Sequence, residues 1–350
     1  MRQLRLIALL AACGIPLIGL AHHSYAEYDQ QKTVEIEGIL LKAAWQNPHL
    51  SLKVQGVDAG KHSVTWNIEG SSVNALTRLA GVSLEDFKVG TRVKVAGWPS
   101  KRAADRLFLT NLLSQNGREL VTWRYSKPRW TNLAAGYGTP TGGRFEGGTR
   151  SRDASLFRVW TAQIGVAGAA FDQSVNGLAS GSGPSLTAKA KKLVAATKTA
   201  STTLDGCVKK GMPSIMLTPT PIEFVDKGDI IDVRVEFNDT VRAIHMRAGA
   251  SNAAPTRTPL GYSTGRWDGK TLVVETTQID WPWFNFGIPQ SAAVRLVERF
   301  TPSADGSQLN YSLTSTDPEM LEKPFEQKSA WVWHPREKLM AYNCVSDYQK

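Results

Sequence analysis

From Pro221 onward the chain is a succession of short runs rich in β-branched and aromatic residues, and this pattern leaves few folds open. IEFVD, DIIDVRVEF, TVRAIHM, STGRW, KTLVVETT, AAVRLVERF, SQLNYSLTST, EQKSAWVWH and KLMAYNC are separated by tight polar turns such as VDKGD, WDGK and ADGS. Alternation at a period of two with such turns predicts antiparallel strands in up-and-down order. Eight or nine of them make a closed or nearly closed barrel of lipocalin type. Barrels of that size can enclose one small ligand.

The first third carries a second, shorter set. TVEIEGILLKAAW, LSLKVQG and HSVTWNIEG precede SSVNALTRLAG, where Ser72 is placed to cap a helix carrying Val73, Leu76 and Leu79 on one face. TRVKVAGW and RLFLTNLLS follow. Three strands, a helix and two strands is the order of an OB-like small barrel. The expected chain is therefore all-β, its OB-like barrel joined by a Gly/Arg-rich linker to the larger antiparallel barrel. Residues 126–200 hold the linker and a basic amphipathic helix with Leu186, Ala190, Leu193 and Ala196 at helical spacing. Boundaries fall at 1–21, 22–125, 126–200 and 201–350.

The N-terminus reads as an export signal. Arg2 and Arg5 precede the apolar stretch Leu6 to Leu20, and Gly19-Leu20-Ala21 offers small residues for cleavage before His22. The alternative is Leu10-Ala11-Ala12-Cys13, a lipobox that would leave a lipid-anchored Cys13. Either route predicts a periplasmic or secreted chain with no membrane span once the signal is removed, because no later segment is long and apolar enough. The remaining cysteines, Cys207 and Cys344, are an even pair and are expected to form a disulfide.

Charge is uneven. The chain carries +10, and residues 126–218 hold 12 basic against 4 acidic side chains. A solvated basic face explains this most simply; an acidic partner is the alternative. An export signal and a basic excess outside the OB-like barrel argue against nucleic acid as a partner. G-x-S-x-G, H-E-x-x-H, Walker A and G-x-G-x-x-G before a helix are all absent.

AHHSYAEYD, WQNPHLSLKV, WNIEGSSVNALTRLAG and KVGTRVKVAGWP, across residues 21–120, resemble a family of exported bacterial proteins of unknown function. Its members begin AHHSF after the signal and carry W-x-N-P-H, and the resemblance implies a small β-barrel. CVKKGMPSIM, PIEFV, GRWDGKTLVVETT, VRLVERF and YNC are similar to a separate, calycin-like group without a known activity. That resemblance implies histidines where this chain has Tyr262 and Gln290.

Three functions follow as expectations. The leading one is a binding protein for a small, mostly apolar molecule in an open C-terminal cavity, lined by Val233, Val235 and the inward residues of AVRLVERF. Trp281, Trp283 and Phe284 would close over the ligand or plug the barrel end. The second is a copper or other metal site. The α-amine and imidazole of His22 would chelate Cu(II), with His23 or His49 as a further nitrogen donor. The third is a cofactor-independent lyase, isomerase or hydrolase using Glu298 or Asp280. Alternation places Val294, Leu296, Glu298 and Phe300 on one face, and a buried carboxylate needs a partner. Arg266 and Arg234 are the partners expected if Glu298 is merely structural.

Overall fold

A computed structural model describes residues 27–57, 60–137, 139, 148–162, 183–197, 207–247, 256–285 and 288–345. The expected signal, Cys13, His22 and His23 lie outside them. The N-terminal unit is built from β1 (Val34–Ala44), β2 (Ser51–Val57), β3 (Ser63–Glu69), β4 (Arg92–Pro99) and β5 (Arg106–Ser114), extended by β6 (Glu119–Val121) and β7 (Ala134–Gly136). Sheet order is β3-β2-β1-β4-β5-β6-β7, and a parallel β3–β5 pairing closes the first five strands into a barrel. β1 and β2 approach closely at Gly38, where a Cβ would sit 2.1 Å from the Gln55 carbonyl oxygen, and their register shifts between Leu40 and Lys42. Leu40, Leu52, Val54, Ile68, Val95 and Leu109 fill the interior, and Val73 and Leu76 cover one end.

Those last two sit on the expected helix, which runs Val73–Ala75 and widens into a π turn over Leu76–Ala80. Ser72 occupies the N-cap position but makes no capping bond. Its hydroxyl donates instead to Asn47 Oδ1 at 2.8 Å. Asn47 outcompetes the helix terminus because it is itself buried and needs its carbonyl satisfied.

The C-terminal unit comprises β8 (Val159–Ala162), β9 (Ile222–Asp226), β10 (Ile230–Val235), β11 (Thr240–His245), β12 (Tyr262–Asp268), β13 (Thr271–Thr277), β14 (Trp283–Asn285), β15 (Ile288–Pro289), β16 (Arg295–Pro302), β17 (Gln308–Thr316) and β18 (Phe325–Val332). Nine of these close a barrel in the order β10-β11-β12-β13-β16-β17-β18-β8-β9, while β14 and β15 pair separately. The order differs from a plain meander in two ways. β11 and β12 run parallel, and β8 comes from the segment expected to be linker. Trp160 on β8 is fully buried in the barrel core, which explains why this segment is drawn in.

KLMAYNC is not a barrel strand. Residues 338–344 leave the barrel as a strap toward the N-terminal unit, pairing with it at Asn47 and Cys344. Cys207 and Cys344 form the expected disulfide, with sulfurs 2.08 Å apart. The basic helix forms over Ala188–Thr197. Leu186 and Ala190 are buried and Val194 packs with them, whereas Leu193 is exposed, so the apolar face follows 186, 190 and 194. Among the described residues no helix is long and apolar enough to cross a membrane.

Candidate functional site

The barrel interior holds Glu298 as alternation predicts, but its partner is Arg242. Both side chains are essentially inaccessible. Arg242 NH1 donates to Glu298 Oε1 at 3.0 Å, and its other donors reach Ser263 Oγ and Thr276 Oγ1. Tyr311 donates its phenolic proton to Glu298 Oε1 at 3.0 Å, and burial beside that carboxylate pushes the phenol well above its ordinary pKa. Arg234 points outward to Glu223, and Arg266 is exposed. TVRAIHM contains the missed signal. Alternation from buried Thr240 to buried Ile244 puts Arg242 inside with them. Glu298 is therefore held in a buried, hydrogen-bonded ion pair with Arg242, in place of the expected Arg234 or Arg266.

The expected walls of an open cavity are packed against one another instead. Val233, Leu296 and Phe300 are wholly inaccessible and Val235 nearly so, with Phe224 set edge-on to Phe300 at 5.1 Å. Asp280 is exposed. Trp281 covers the barrel end and donates its indole proton to Ser214 Oγ at 3.1 Å. Ser214 in turn donates to the Trp283 and Phe284 carbonyls. Phe284 itself turns away, into a satellite cluster with Leu186 and Ala190. Gln290 fastens this cap by donating to the Met212 and Trp281 carbonyls, and Tyr262 stacks on His245 at 4.7 Å. Of the three aromatic residues, Trp281 packs against the barrel core.

A different site lies where the two barrels meet. Asn47 is 1% exposed, and its amide donates to Asn74 Oδ1 at 2.9 Å and to the Tyr342 carbonyl at 2.6 Å. Asn74 donates to Glu236 Oε1 at 3.2 Å. One turn along, Arg78 makes a two-pronged bond to Glu236 at 3.0 and 2.5 Å, and its Nε reaches Glu337 at 2.6 Å. Burial works to lower the Arg78 pKa, yet the two carboxylates outweigh it and hold the guanidinium above its ordinary value. Glu236 also accepts the Met340 N–H, and Asp239 accepts the Tyr342 N–H. Sequence reasoning missed this network. Its readable trace is Asn74 and Arg78, four apart on a largely apolar helical segment and so on one face.

Beside the network is a cleft of about 190 Å³. Trp123 and Tyr137 of the N-terminal unit and Phe237 and Tyr342 of the C-terminal unit supply aromatic walls, with Ala75, Leu79 and Pro221 between them. Phe237 and Tyr342 are themselves in contact at 5.1 Å. Two polar side chains on the lining carry chemistry. Thr161 on β8 is 2% exposed, and its hydroxyl has no hydrogen-bond partner among the described residues. His49 presents its Nδ1 to the Gly70 carbonyl at 3.0 Å, with Glu69 at 3.5 Å. A carbonyl only accepts, so Nδ1 bears a proton. Tyr28 donates to the other oxygen of Glu69 at 2.9 Å. Tyr28 is thereby brought to the same corner as the N-P-H motif. Among the described residues no group of three or more His, Cys, Asp or Glu is placed to hold a metal ion.

Residues 10–107 match a family of unknown function (DUF6152), a span that takes in the N-P-H motif and most of the five-stranded barrel. No curated protein and no solved structure matches the chain.

Proposed function

We propose that this chain is an exported binding protein that holds a small, mostly apolar molecule in the cleft between its two barrels. The observation that carries the reading is the cleft itself. Aromatic side chains from both units converge there beside polar ones that include His49, Arg78, Arg124, Thr161 and Glu236, and domain junctions are favoured places for small-molecule sites. A packed C-terminal barrel directs attention to the cleft. The Cys207–Cys344 disulfide supports an oxidising compartment, periplasmic or extracellular, whether the N-terminus is freed at His22 or anchored at Cys13.

Ligand-observed NMR with a library of small organic fragments tests the proposal. Ala75 lines the cleft, so Ala75→Phe fills part of the space while keeping every hydrogen-bonding side chain of the Arg78 network. Saturation transfer to the wild type that disappears in Ala75→Phe is the expected result. Equal transfer to both proteins would overturn it.

One observation favours a second reading, a copper site that combines His49 with His22 and His23. The Gly70 carbonyl orients the His49 ring through Nδ1, as carbonyls do for many metal-bound imidazoles. Cu(II) titration of protein beginning at His22 should then give one tight equivalent that weakens in His49→Ala. Identical binding in both would remove His49 from the site.

A further inference from the structure

We infer that the occupant of the cleft is a neutral, single-ring aromatic molecule bearing one hydroxyl or carbonyl oxygen, seated on Thr161. The inference rests on the cleft being a binding site and adds the ligand's chemical class.

Size comes first. An apolar cavity of about 150 Å³ accepts benzene. The cleft, at about 190 Å³, takes one ring with a small substituent and little more. Its walls suit a ring, since aromatic side chains prefer offset or edge-on partners at ring distances of roughly 4.5–7 Å. Phe237 and Tyr342 already stand in that relation to each other, tilted at 47°.

The polar end is fixed by Thr161. Trp160, its neighbour on β8, points into the barrel core, so alternation turns Thr161 outward to the cleft. A buried hydroxyl without a partner is costly and uncommon in folded proteins. A hydroxyl both donates and accepts, so a ligand OH or C=O would satisfy it equally.

Charge does not by itself select an acid. Arg78 also lines the cleft, but its donors are engaged by Glu236, Glu337 and the Lys338 carbonyl. The remaining guanidinium on the lining, Arg124, lies over the rings of Trp123 and Tyr125 at 5.4 and 4.9 Å. It is the group a carboxylate ligand would use, and the experiment includes that case.

The experiment is calorimetric titration of the full chain with phenol, benzaldehyde, toluene and benzoate, on wild type, Thr161→Val and Thr161→Ser. Phenol and benzaldehyde are expected to bind about tenfold more tightly than toluene, the worth of one hydrogen bond. Thr161→Val should bring both down to the toluene level and leave toluene itself unchanged, which also shows that the variant is folded. Thr161→Ser should behave as wild type. Phenol and toluene binding equally, or benzoate binding most tightly, would overturn the ligand class while leaving the cleft a binding site. No binding of any probe would overturn both.

Discussion

Arg78→Met is the substitution whose consequence follows most directly from the junction. The guanidinium is 8% exposed and sits between two carboxylates, Glu236 at 1% and Glu337 at 7%. Methionine restores the apolar stem but leaves both acids buried without their cation. Removing one member of a buried ion pair costs about 3–5 kcal/mol, because the survivor stays desolvated and uncompensated. At roughly 2 °C per kcal/mol for a chain of this size, melting should fall by about 6–10 °C. The same side chain ties the helical segment of one barrel to residues on β10's following turn and the C-terminal strap of the other. Scanning calorimetry should therefore show one transition in the wild type resolving into two in the variant, since the units lose their main polar coupling. Arg78→Lys keeps the charge but cannot make the two-pronged bond, and should fall between the two. A single transition within about 1 °C of wild type for Arg78→Met would refute the reasoning.

Other consequences can be checked in the same way. Glu298→Gln should lower stability by about 3 kcal/mol or more in urea unfolding, while Arg242→Met combined with Glu298→Leu should recover most of it; equal losses in single and double variants would show that the pair is not coupled. Reducing Cys207–Cys344, which closes a loop with a sequence separation of 137, should cost up to about 5 kcal/mol by chain entropy, and no change in unfolding midpoint with reductant would contradict this. Burial brings Lys210 down to about 8, below its ordinary 10.5, with its Nζ 4.7 Å from the Phe237 ring. Between those two values the unfolded chain binds the extra proton, so stability should rise with pH through that window. Lys210→Met should flatten the rise; an unchanged slope would assign it to other groups.

Much of the fold was legible because strand alternation and turn chemistry are local signals. The five-stranded barrel follows from its strand–helix–strand order, and inward residues such as Val233, Leu296 and Glu298 follow from a period of two. Partner choice was not local. Arg234 and Arg266 look equivalent to Arg242 by composition, and only the phase of β11 separates them. Trp160 draws a four-residue strand out of a Gly-rich segment by burial alone, a long-range effect that no short window registers. KLMAYNC reads as a strand because it is extended and half apolar, yet its backbone is spent on Asn47 across the junction and on Glu236 and Asp239 of its own unit. The cleft was invisible for the same reason. His49 was singled out, but Thr161, Arg78 and Glu236 gain meaning only when the two units meet.

A crystal structure of the full chain grown with phenol would place the ligand directly. The account predicts the ring among Trp123, Tyr137, Phe237 and Tyr342, its oxygen within about 3 Å of Thr161 Oγ1. Phenol bound elsewhere, with the cleft occupied only by water, would contradict it.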